Sequence, residues 1–169
     1  MYKVQDGGRG REQEEVEIRK EIWIVLCVLA LDQVSKLVVS ASMSPGDSVE
    51  VLNSFLRLTY VHNPYAAFGI AVGPPKLHFL FSSLALGVVV WVLLRSSSGL
   101  QRHALALVLG GALGNILDRL RTGEVVDFLD VGIRTYRWPV FNLADLAVTG
   151  GIVLLVWGYV GGKDRGRGR

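Results

Sequence analysis

The sequence predicts a membrane-embedded all-α bundle of four transmembrane helices, and three observations carry that prediction. Half of the 169 residues are hydrophobic and only a fifth are charged, with a mean hydropathy of +0.38; this is too apolar for an ordinary soluble domain. Four windows, residues 22–39, 77–94, 104–120 and 141–160, are mostly apolar and close to the roughly 20 residues that a bilayer core requires of a helix. Lysine and arginine are distributed unevenly around those windows, eleven on one side and six on the other, which sets an orientation with both termini cytoplasmic.

Taken in chain order, residues 1–21 form a hydrophilic cytoplasmic tail holding Lys3, Arg9, Arg11, Arg19 and Lys20. The first span, residues 22–39, has a charged stretch before it and Ser40-Ala41-Ser42 after it, as a cleavable leader would. The three spans that follow make it a retained anchor. Its Cys27 is the only cysteine, so the chain has no disulfide framework, and the residue reads as a small buried apolar group. The preceding Ile24-Val25-Leu26 lacks the small residues of a lipidation site. Residues 40–76 then face outward, and the span 77–94 returns to a short inner loop with Arg95 and Arg102. The span 104–120 carries Gly110, Gly111 and Gly114, expected as close-packing positions, with Gly110 and Gly114 as the contact stripe. Residues 121–140 face outward and contain a short strand around Asp127. The span 141–160 ends in a basic tail, residues 161–169. Both tails are expected to be disordered, and their charge serves orientation and contact with anionic lipid rather than nucleic acid.

Ionisable and amide side chains cluster in this apolar chain. Asp32 and Lys36 are spaced i, i+4 in the first span; Asn115 and Arg119 have the same spacing in the third, with Asp118 beside them; Asn142 and Asp145 open the fourth, with Thr149 on the same face. Such groups are costly in hydrocarbon and face a protein interior or a wet cavity. The first and third spans run outward and the fourth runs inward, which puts all of them, and Asp127, at the outer membrane face. Plain structural readings exist for several. Asp32 with Lys36 reads as a buried ion pair fixing helix packing, Asn115 with Arg119 as a hydrogen-bonding girder or a snorkelling arginine, and Asn142 as a helix cap. Asp127 and Asp145 have no comparable explanation. Asp130, three residues along the strand from Asp127, falls on the opposite face.

Two adjacent carboxylates share one proton, which leaves one base and one acid near neutral pH. The base takes a proton from water while the acid protonates a carbonyl or a leaving amine, the chemistry of amide hydrolysis. The chain has no Cys–His pairing or G-x-S-x-G turn, and its three histidines, His62, His78 and His103, are scattered, without a metal-binding pattern. His78 and His103 are expected at the membrane interface. A proton-coupled transporter or assembly factor using Asp145 and Asp32 as a relay is the alternative, but it would need polar groups through the whole membrane depth, and the inner halves of the spans are nearly all apolar. A membrane adaptor would leave the clustered carboxylates unexplained.

Five stretches, "DQVSK" (32–36), "VHNPYAAFGI" (61–70), "GGALGNILDRL" (110–120), "VVDF" (125–128) and "FNLAD" (141–145), resemble the ordered motifs of lipoprotein signal peptidase, or signal peptidase II. The resemblance spans residues 23–157. It implies a four-helix aspartic peptidase of the bacterial plasma membrane, monomeric, with a small extracytoplasmic β-rich cradle and no cofactor. Its substrate would be a diacylglyceryl-modified prolipoprotein, cut just before the lipidated cysteine near the outer leaflet. By motif position Asp127 and Asp145 would be the catalytic pair. Asp32, Lys36, Asn63, Gly111, Gly114, Asn115, Arg119, Asn142 and Ala144 would surround the substrate, and the two outward segments would form the cradle and a lid. The family commonly shows N-x-G-A-A-F-G where this chain has Asn63-Pro64-Tyr65-Ala66-Ala67-Phe68-Gly69. Proline fixes φ and tyrosine resists positive φ, so a stiffer lid is expected.

Overall fold

The computed structural model describes residues 6–65, 75–97 and 99–166. Helix α1 (Asp6–Ser42) leads into strands β1 (Ser48–Leu52) and β2 (Leu56–Asn63). Helices α2 (Pro75–Arg95) and α3 (Gly99–Thr122) follow, then strands β3 (Val125–Ile133) and β4 (Tyr136–Arg137), and finally helix α4 (Leu143–Gly166). The lid stretch Ala66 to Gly69 lies outside the described residues, as do the chain ends 1–5 and 167–169.

Neither tail is irregular where it is described. Helix α1 begins at Asp6 and α4 continues to Gly166. The expectation of disorder fails at the N-terminal end for a physical reason: residues 11–21 are almost all Arg, Glu, Gln, Lys and Ile. Most of these are good helix formers, and a helix already nucleated in the membrane adds residues at little cost.

Among the described residues, three helical stretches are long and apolar enough to cross a membrane: Ile18–Ser42, Lys76–Arg95 and Leu143–Gly161. Helix α3 is not among them. It packs against α1, α2 and α4 and buries Ala104, Leu105, Ala106, Val108, Gly110, Gly111, Gly114 and Ile116. A helix surrounded by protein needs small residues for close approach more than an apolar exterior. A Cβ on Gly110 would lie 2.9 Å from Val28 Cβ of α1, one on Gly114 would lie 2.5 Å from Asp32 Oδ2, and one on Gly111 would fall on the Ala144 carbonyl oxygen of α4. The glycines thus serve two seams, Gly110 and Gly114 toward α1 and Gly111 toward α4. Helix α2 leans on α3 and scarcely touches α4, which leaves a lateral groove between α2 and α4 with α3 as its floor. Cys27 is exposed on α1 rather than buried; an apolar thiol on a lipid-facing helix surface carries no penalty.

The strands form one antiparallel sheet in the order β1-β2-β3-β4. One side of it closes on the C-terminal end of α1 through Val39, Tyr60 and Phe128, with Met43, Leu58, Val126, Leu129 and Leu143 packed around them. The register sets Asn63 opposite Val125 and Val61 opposite Asp127. Asn63 and Asp127 are therefore diagonal neighbours on one face of the sheet, within side-chain reach. Phe141 bridges Leu129, and that bridge brings the start of α4 alongside β3.

Candidate active site

Helix α4 starts with a reciprocal cap. Asp145 N donates to Asn142 Oδ1 at 2.9 Å, and Asn142 N lies 3.4 Å from Asp145 Oδ2, a capping box with aspartate at the third helical position. The cap residue also reaches across to the sheet: Asn142 Nδ2 donates to Asp127 Oδ1 at 2.7 Å. It also lies 3.1 Å from Asn115 Oδ1 and 3.3 Å from Val126 O. Asn142 is fully buried, so one amide joins the two aspartates and ties α4 to β3.

Asp127 has a second amide, and the Asp145 carboxylate has one of its own. Asn63 Nδ2 donates to Asp127 Oδ2 at 2.8 Å, and Asn115 Nδ2 donates to Asp145 Oδ1 at 2.8 Å. Asn63 Oδ1 in turn accepts from Tyr65 N at 3.0 Å, an Asx turn that holds the start of the following loop. Tyr65 does not adopt positive φ; among the described non-glycine residues only Asn53 and Arg134 do, so tyrosine is tolerated at this position. Arg119 Nη2 donates to Tyr65 O at 2.7 Å, while its buried Nε has no partner among the described residues.

Asp127 is only 2% exposed, and burial pushes its carboxyl up from the usual 3.8 to about 7. The hydrogen bond from Asn63 works against that rise, the charge of Asp145 adds to it, and Asn142 and Lys36 oppose it. Desolvation wins because two neutral amide donors recover only part of the hydration that a carboxylate loses.

Asp127 and Asp145 open on one cavity of about 540 Å³, with Asn63, Asn115 and Arg119 at its polar end. The rest is the apolar groove between α2 and α4, lined by Phe81, Ala85, Leu86, Val89, Val148, Ile152 and Leu155. A second cavity of about 290 Å³ shares Asn63 and Asp127 and continues past Val61, His62, Pro64, Tyr65, Pro139 and Val140. The two aspartates thus stand where a lipid-side groove meets a sheet-side opening.

The remaining sequence-predicted site residues lie behind this wall and do not line either cavity. Lys36 Nζ contacts Asp32 Oδ2 at 2.8 Å, Asp118 Oδ2 at 2.7 Å and Asn115 Oδ1 at 3.0 Å. Asp32 Oδ1 accepts from Ala144 N at 2.9 Å, and Gly111 and Gly114 allow α4 and Asp32 to sit this close. Asp130 turns away from the site to Arg137 and Thr59, as strand alternation predicts. His78 is buried, edge-on to the Tyr65 ring.

The sequence reading missed Gln33, whose Nε2 donates to Asp118 Oδ1 at 2.9 Å, and gave Asp118 no place in the site. It also missed the bidentate pair of Glu21 with Arg102 at the opposite end of the bundle. The available signal for that pair was an acidic residue at the very edge of an apolar span, where an isolated charge is costly.

The chain was compared with known proteins. The family model for signal peptidase (SPase) II matches residues 24–160. A lipoprotein signal peptidase of Moorella thermoacetica is 45% identical over 137 residues, covering 79% of this chain and 88% of the relative. One from Syntrophus aciditrophicus is 43% identical over 136 residues, covering 76% and 84%. A bacterial membrane enzyme solved by the in meso method at 2.3 Å superposes with a TM-score of 0.80 at 36% identity, over 90% of this chain and 93% of that one.

Proposed function

Because the chain belongs to the signal peptidase II family, we propose that Asp127 and Asp145 form an aspartic dyad. The dyad would cut a diacylglyceryl-modified prolipoprotein immediately before its lipidated cysteine. The peptidase class and a prolipoprotein substrate follow from the family. The single observation that carries the dyad reading is the Asn142 bridge, whose side chain donates to the Asp127 carboxylate of β3 and accepts from the backbone N–H of Asp145 at the start of α4, at the mouth of a largely apolar groove.

In this reading Asp127, raised to about 7, holds the shared proton and Asp145 acts as base. Asp145 takes a proton from water, the water oxygen attacks the scissile carbonyl carbon, and Asp127 protonates the carbonyl oxygen. The tetrahedral intermediate collapses when a proton passes from the dyad to the cysteine nitrogen, the C–N bond breaks, and the dyad regains its single proton. Arg119, with an unpartnered buried Nε, and the amides of Asn63 and Asn115 are placed to hold the extended backbone. A helical substrate must unwind there, because its carbonyls are otherwise hydrogen-bonded. The signal segment would occupy the groove between α2 and α4, and the mature chain would leave through the second cavity.

In the same reading α3 crosses the membrane with the other three helices, both termini are cytoplasmic, the dyad lies near the outer leaflet, and the enzyme works as a monomer among lipid. The test is cleavage of a diacylglyceryl-modified prolipoprotein by detergent-purified wild type, Asp127→Asn and Asp145→Asn. Cleavage before the modified cysteine that disappears in both folded variants is expected. Persistent cleavage in either variant would overturn the dyad.

A further inference from the structure

Lys36 is 3% exposed and lines neither cavity, so it is too deep to touch a substrate. Its three N–H donors face three acceptors: Asp32 Oδ2, Asp118 Oδ2 and Asn115 Oδ1. An ammonium has no further donor to give, and each of these has an assigned partner.

The third contact matters for the chemistry. Asn115 Oδ1 receives Lys36 Nζ at 3.0 Å and Asn142 Nδ2 at 3.1 Å, and Asn115 Nδ2 faces Asp145 Oδ1 at 2.8 Å. An amide has one donor end and one acceptor end. Turned over, Asn115 would point its NH2 at two donors and its oxygen at a carboxylate, so every contact would become repulsive. Held as it is, it pins Asp145 Oδ1. Asp145 Oδ2 then has only the long 3.4 Å approach of Asn142 N and is the oxygen left to meet water.

We propose that Lys36 is a positioning residue for peptide hydrolysis: by fixing the orientation of the Asn115 amide, it decides which oxygen of Asp145 is held and which is free to act as base. The proposal rests on the dyad reading above. The rival role is plain packing, in which Lys36 only neutralises Asp32 and Asp118 between α1 and α3.

The experiment compares Lys36→Met, Lys36→Gln and a stability control, Glu21→Gln, which breaks a buried ion pair at the opposite end of the bundle. Cleavage of the diacylglyceryl-modified prolipoprotein is measured across pH, alongside Tm. Lys36→Met is expected to lower kcat by about tenfold or more with KM changed less than about twofold. Its pH profile should move toward higher pH, because the Lys36 charge opposes the rise at Asp127. Lys36→Gln loses the same charge but keeps an N–H donor, so it should recover part of kcat. Glu21→Gln should lower Tm and leave kcat unchanged. Should Lys36→Met not fold, Lys36→Met with Asp118→Asn preserves the net charge of the buried cluster and replaces it in the comparison. A Lys36→Met that lowers Tm but leaves kcat unchanged, as in Glu21→Gln, a rise in KM instead of a fall in kcat, or no gain from glutamine over methionine would each overturn the proposal. Asp127→Asn and Asp145→Asn run in parallel separate the two ideas. If they still cleave, the dyad itself fails; if they are inactive while Lys36→Met is normal, only the positioning role fails.

Discussion

Asn142 Nδ2 donates to Asp127 Oδ1 at 2.7 Å, and the same side chain, through Oδ1, caps the helix that carries Asp145. Helix start and site geometry are therefore one feature, and a change at Asn142 acts on both. Two substitutions separate the effects. Asn142→Ala removes cap and bridge together, and should cost about 1 kcal/mol of stability from the cap alone as well as most activity. Asn142→Asp keeps a capping oxygen but aims a third carboxylate at Asp127 and at the oxygens of Asn115 and Val126, so cleavage should be lost and the Tm loss should grow more steeply with pH than that of Asn142→Ala. Equal Tm losses in the two variants at every pH would mean that the contact with Asp127 adds nothing beyond the cap.

The raised Asp127 predicts how stability depends on pH. Its folded value of about 7 lies above the 3.8 of an unperturbed carboxyl, so the folded state binds a proton that the unfolded state releases. Its contribution is full below about 4 and is lost as pH rises through about 7, at about 1.4 kcal/mol per unit of difference. Asparagine imitates the protonated acid and does not titrate. The Tm of Asp127→Asn minus that of wild type should therefore grow between pH 4 and pH 8. A constant difference would show that Asp127 titrates near its ordinary value in the folded enzyme.

Asp127 and Asp145 were legible in the sequence because a carboxylate beside an apolar span carries a cost that only a partner or a task explains. Asn142 was legible as a cap for the same local reason, and Asp130 was set aside correctly by strand alternation. What the sequence hid depends on contacts between distant segments. Gln33 meets Asp118, and Glu21 meets Arg102; no local pattern pairs residues so far apart along the chain. Lys36 was set around the substrate by motif position; its spacing pairs it with Asp32 on one helix face but does not say that Asp118 and Asn115 cover that face. The glycines of α3 were legible as a packing stripe, but not that they serve two seams, Gly110 and Gly114 toward α1 and Gly111 toward α4. The N-terminal tail was misjudged by weighting its charge over its helix propensity.

The groove between α2 and α4 yields the final prediction. Ala85 projects from α2 into the cavity of about 540 Å³ that ends at the two aspartates, while Leu31 of α1 is 64% exposed and lines none of the cavities described above. Replacing Ala85 by tryptophan fills space that an apolar substrate segment would need, and every excluded methylene removes about 0.8 kcal/mol of burial. Loss of two or three such contacts raises KM by about tenfold to a hundredfold, with kcat for bound substrate changed much less. Leu31→Trp, facing lipid, should leave both constants alone. Steady-state cleavage of the diacylglyceryl-modified prolipoprotein measures the difference. If Ala85→Trp keeps the wild-type KM, the signal segment does not use this groove and must approach the dyad from the sheet side.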